Sequence, residues 1–268
     1  MVKFRSILKW GFLALILLFI YAPILLLTVY SFNETETITS WGDFDLTHYK
    51  YFFNPDNQPL QIVFQTICLA LTVASASTLL ATVGAIGIFY SKRKWGTILS
   101  GINQIPVINA EVVTAISLAF LFVAFQLPKS TFIPLIVGQM VLCTPFVILS
   151  IIPKLKQMDN NLYEAALDLG ASPSKALTSV VIPQISSGIV SGFMLAITLS
   201  LDDYIIAVYT KPNTFQTIST HIYSLAKGST VDTIKSSYWA LTAIIFVVII
   251  VAVILMNVLS SKKAGAKR

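Results

Sequence analysis

The sequence predicts an all-α membrane protein with six transmembrane helices and both termini on the cytoplasmic side. Three observations carry that prediction. Of 268 residues, 56% are hydrophobic and only 11% are charged, against about 25% charged in soluble domains. Six stretches (10–33, 57–91, 95–128, 130–153, 176–201 and 236–261) hold no Asp, Glu, Lys or Arg except Glu111. Each exceeds the ~20 apolar residues that one bilayer crossing requires. With the N-terminus inside, 13 of the 18 basic residues fall on the cytoplasmic side, as at Lys92, Arg93, Lys94, Lys154 and Lys156; cytoplasmic loops are the ones that concentrate Lys and Arg.

The chain reads as one transmembrane domain, 1–268, with helices over 10–32, 60–90, 111–127, 131–153, 180–203 and 237–260. The first follows Lys3, Arg5 and Lys9 as a signal peptide would. It is too long for a signal core and lacks a small-x-small cleavage site, so it is expected to be retained. Outside it, 31–60 carries Glu34, Glu36, Asp43, Asp45 and Asp56 among many aromatics, a composition suited to the interface. A short surface helix is expected there over 46–53. That loop is either a solvated anchor or a negative surface that attracts a cation or a delivery protein.

The second helix is rich in small residues (Ala70, Ala74, Ser77, Ala81, Ala85), and the fifth repeats the pattern with Gly188, Gly192 and Ala196. Small residues let membrane helices approach closely, so both belong inside a bundle. Pro106 and Asn109 interrupt the first half of the third stretch. Cys68 and Cys143 lie in separate apolar stretches and read as packing residues.

The cytoplasmic loop 154–179 is the most structured polar segment. Asp159 or Asn160 is placed to cap a short helix, Gly170 to end it in a left-handed conformation, and Ser172-Pro173 to start another. Leu162, Ala165, Ala166 and Leu169 form a narrow apolar stripe at i, i+3, i+4, i+7. Such an alanine-faced helix is built to press close to a partner. The alternative, a helix resting on the membrane, would want a basic face, and Glu164 and Asp168 are acidic.

Enzymatic signatures are absent. There is no glycine-lysine pair for a phosphate-binding loop, no G-x-S-x-G and no HExxH, and the two histidines have no cysteine at metal-ligand spacing. The basic residues sit at helix ends, which argues against a nucleic-acid partner. Energy for uphill work must therefore enter through another protein or an ion.

Glu164-Ala165-Ala166, then Gly170, then Val180-x-Ile182-Pro183 resembles the EAA signature of permease subunits of ABC importers. Thr198–Asp203 (TLSLDD), Tyr21–Ile24, Ser31–Asn33, Ala115–Leu118 and His221–Ser224 are similar to the second permease of spermidine/putrescine importers. The resemblance implies a type I importer permease fold, with the helix around Glu164 as a cytoplasmic coupling helix. It implies Glu164, Ala165, Ala166, Gly170 and Pro183 as the contact to an ATPase. It further implies partners: an ATP-binding subunit dimer that uses ATP and Mg, a second homologous permease, an external substrate-binding protein and a polyamine, in a bacterial inner membrane. The chain itself is expected to bind no cofactor and to catalyse nothing.

Glu111, Asp202 and Asp203 are acids within or beside apolar stretches. Facing lipid, each would cost ~2.5–3.5 kcal/mol at a helix centre, so they need a polar surrounding. They line a cation path, or they form a polar network holding the bundle. The cargo alternatives are ferric ion, a phosphonate or an opine, and an ATP-independent secondary carrier is the reading from another class.

Overall fold

The computed structural model describes residues 2–35, 40–54, 58–128, 130–159, 161–227 and 238–247. These form helices α1 (Val2–Tyr30), α2 (Thr47–Phe53), α3 (Gln58–Tyr90), α4 (Arg93–Ile108), α5 (Glu111–Ala124), α6 (Ile133–Gln157), α7 (Asn161–Asp168), α8 (Pro173–Ala176), α9 (Ile182–Asp202), α10 (Ile205–Thr210) and α11 (Ile218–Lys227). A further helix, α12, covers Tyr238–Val247, and a π-helical turn at Leu177–Val181 joins α8 to α9. Among the described residues, extended pairing is limited to one antiparallel bridge, Asn33 to Phe44.

Four described helices are long and apolar enough to span a bilayer: Lys9–Tyr30, Pro59–Tyr90, Ile133–Gln157 and Pro173–Asp202, the last including the π turn. A fifth span results if α4 and α5, bent by 104°, act as one. The sixth expected helix, 237–260, is described only as α12, and the rest of it lies outside the described residues. Side chains of α1 from Lys9 to Tyr21 are all exposed, Phe19 and Leu18 among them. An apolar surface of that extent is unsuited to water.

The third helix starts at Glu111 as expected, but what precedes it differs from expectation. Residues 93–108 form α4, a complete helix with no buried residue. Pro106 sits inside its last turn, and the backbone turns extended at Asn109 and Ala110 before α5 restarts. Glu111 in the first turn of α5 favours that restart, because an acid there complements the helix dipole. The fifth helix is also longer at its start: helical backbone runs from Pro173, so the loop expected over 154–179 narrows to 158–172.

The chain forms two compact units, Met1–Gln61 with Ile222–Arg268, and Ile62–His221. In the first, Tyr30 packs edge-on against Trp41 and Trp239, and Phe32 stacks on Phe44 with ring centroids 5.4 Å apart. The Asn33 side chain is buried, accepting from Gly42 N–H and donating to Ser40 O. Helix α2 forms over nearly the expected 46–53. The Thr47 hydroxyl and the Leu46 N–H both donate to Asp45, holding its exposed carboxyl below the usual range.

The second unit contains the core, where Val73, Ala81, Leu135, Val147, Ile151, Val181, Ile185 and Ala196 from α3, α6, the π turn and α9 are fully buried. Ala70, Ala74, Ser77, Ala81 and Ala85 make one buried stripe along α3, the inward face that the small residues predict. Helices α6 and α9 approach closely because α9 presents glycines to α6. A Cβ at Gly192 would lie 2.7 Å from Val147 Cγ1, and one at Gly188 would lie 3.1 Å from Ser150 O. The Ser150 hydroxyl uses the proximity to donate to Gly188 O at 3.2 Å.

Candidate functional site

The loop between α6 and α9 is folded by its own residues. At its entrance Asp159 is the cap: its Oδ1 accepts from Asn161 N–H at 3.0 Å and its carbonyl from Leu162 N–H at 3.2 Å. Asn160 lies outside the described residues. At the exit of α7, Gly170 has φ +85°. Gly170 N–H donates to Leu167 O at 2.9 Å and Ala171 N–H to Ala166 O at 3.0 Å. That pair of bonds is the Schellman ending, in which a left-handed residue lets the chain turn back on the last carbonyls. It also explains the motif's spacing, since the second alanine supplies the carbonyl and the glycine must follow four residues later.

Ser172 then starts α8, its hydroxyl accepting from Lys175 N–H at 3.4 Å with Pro173 at the first helical position. The π turn follows, closed by Ile182 N–H on Leu177 O. Pro183 accounts for it. In a regular helix its ring would meet the carbonyl of Ser179 four residues back, and one inserted residue widens the backbone there.

Helix α7 is anchored on one side only. Tyr163 packs at a tilt against Tyr90 at the end of α3, centroids 5.1 Å apart, and reaches the core. Leu162, Glu164, Ala165 and Asp168 are exposed, and Leu169 is 90% exposed. Three of the four stripe residues and both acids are therefore open, while Ala166 is half-buried.

The three acids have different surroundings. Asp203 is buried and its carboxylate is fully engaged: Gln139 Nε2 donates at 2.7 Å, and the N–H groups of Ile206 and Ala207 donate at 3.0 and 3.1 Å. Gln139 Oε1 accepts in turn from Ser200 at 2.7 Å. This ties α6, α9 and α10 into one network, one of the two arrangements open to an acid there. Asp202 is exposed at the end of α9, and Glu111 is half-buried at the start of α5. Sequence reasoning missed Gln139; a lone amide in an otherwise apolar helix was its only signal.

Residues 77–265 match the family described as the inner membrane component of binding-protein-dependent transport systems. The chain is 27% identical to the spermidine/putrescine transport system permease protein PotC of Haemophilus influenzae, over 97% of this chain and 98% of that protein. Against the putrescine transport system permease protein PotI of Escherichia coli identity is 31%, over 71% of this chain and 70% of that one. A crystal structure of an amino acid ABC transporter with histidines shares the fold, with a TM-score of 0.53 and 17% identity over 76% of this chain and 92% of that one.

Proposed function

Since the chain belongs to the family of binding-protein-dependent transport system inner membrane components, we propose that it is a permease subunit of an ATP-driven importer of polyamines, spermidine and putrescine. The observation that carries the cargo is similarity to PotC along nearly the whole length of both chains. The drive is read from α7, an alanine-faced helix that stands free between two capped turns.

In this reading a cytoplasmic ATPase dimer, using ATP and Mg, grips α7 through Ala165, Ala166 and the Gly170 turn. A second permease completes the path, and an external binding protein delivers the polyamine. The six crossings, inward termini and location in a bacterial inner membrane belong to the same proposal. Glu111 and exposed Asp202 offer carboxylates to ammonium groups, while Asp203 holds the helices that present them. A binding-protein-dependent system argues against the ATP-independent carrier.

The test is reconstitution of the chain with its ATPase, second permease and binding protein. Spermidine or putrescine should stimulate ATP hydrolysis while ferric ion, phosphonates and opines do not. Stimulation by one of those alone would overturn the cargo. Cysteines at Lys94 and Asp43 test orientation, and should label from inside and outside respectively.

A further inference from the structure

A cavity of about 620 Å³ opens where the end of α3, the start of α4 and the end of α6 meet. None of the proposed roles uses it. Arg93 and Lys156 line it from two helices, and among the described residues neither is paired with a carboxylate. Ser100 and Gln104 add polar groups on successive turns of α4, while Phe89 and Ile152 make an apolar wall. At Gly101 a Cβ would meet no atom within 4 Å, so the α4 side is left open by the absence of a side chain.

We propose that this cavity binds the phosphate group of an anionic phospholipid, with Arg93 and Lys156 on the phosphate and the Phe89–Ile152 wall against the start of the acyl chains. Two uncompensated cations attract an anion. The mixed lining favours an amphiphile over free phosphate, which would gain nothing from the apolar wall. Basic pockets between membrane helices at the cytoplasmic face suit anionic headgroups. The assignment rests on the proposed orientation, which places Lys92–Lys94 and Lys156 at that face. The cysteine labelling above tests orientation separately, so the two can fail independently.

The experiment is native mass spectrometry of the full chain from nanodiscs of phosphatidylcholine with a minor fraction of phosphatidylglycerol. Wild type should retain phosphatidylglycerol selectively. The Arg93→Gln/Lys156→Gln variant should lose about thirtyfold in retention, the change expected for two basic residues near an anionic surface. If that variant fails to fold, Gly101→Leu fills the cavity with both charges kept, and it should also exclude the lipid. Unchanged retention in either variant overturns the proposal. Displacement of the lipid by millimolar inorganic phosphate overturns it too, in favour of a free-phosphate site.

Discussion

Replacement of Gly170 by valine isolates what the turn after α7 contributes. Its φ of +85° is one that L side chains rarely adopt, and a Cβ there would meet no atom within 4 Å. The penalty is therefore purely backbone, with no steric clash added. Left-handed backbone costs a residue with a Cβ about 1–2 kcal/mol, which lowers the ratio of formed to unformed turn by roughly 5- to 30-fold. Asparagine tolerates this region far better than a β-branched residue. In proteoliposomes holding the whole transporter, Gly170→Val should cut polyamine taken up per ATP hydrolysed, by at most about that factor, and Gly170→Asn should retain most of it. Wild-type coupling in the valine variant would refute the reasoning. Equal loss in both variants would also refute it, by assigning the requirement to free space beside the glycine.

Gly192→Val drives a methyl into Val147, already 2.7 Å from a bare Cβ, and should cost about 1–3 kcal/mol in denaturant titrations of the purified chain. Gly87→Ala meets nothing within 4 Å in the interior of α3, so the same titration should show a gain of about 0.5–1 kcal/mol. Gln139→Leu leaves Asp203 and Ser200 without their shared partner, and should lower stability by about 1–3 kcal/mol. Asp202→Asn should leave stability unchanged while raising the polyamine concentration needed to stimulate ATPase. Pro183→Ala removes the cause of the π turn. If the inserted residue is absorbed, α7 turns about 100° relative to α9, readable as changed distances between spin labels on the two helices.

Local chemistry was the most legible level. Asp159, Gly170 and Ser172-Pro173 each act through backbone bonds within a few residues, so their types and spacing carry the loop geometry almost complete. The buried stripe of α3 and the glycine face of α9 were legible because close approach demands small residues. Helix α4 was not, since Pro106 and Asn109 suggest a break and the break falls only after the helix has run its length. The partner of Asp203 lay 64 residues away in another helix, a distance at which no periodicity reaches. The π turn escaped because its cause, Pro183, follows it in the chain.

The loop bearing α7 enters from α6 and leaves into α9, and these two helices approach closely at Gly188 and Gly192, where α9 has no side chain to hold α6 away. With side chains from one helix only in that contact, little slack is left between the two. If α7 takes the load of the proposed ATPase, that load meets a closely packed pair instead of two independent rods. The far end of that pair carries Gln139, Ser200 and Asp203. Under the proposed coupling, the helices form a lever whose short arm is the eight-residue α7 and whose long arm reaches the buried carboxylate.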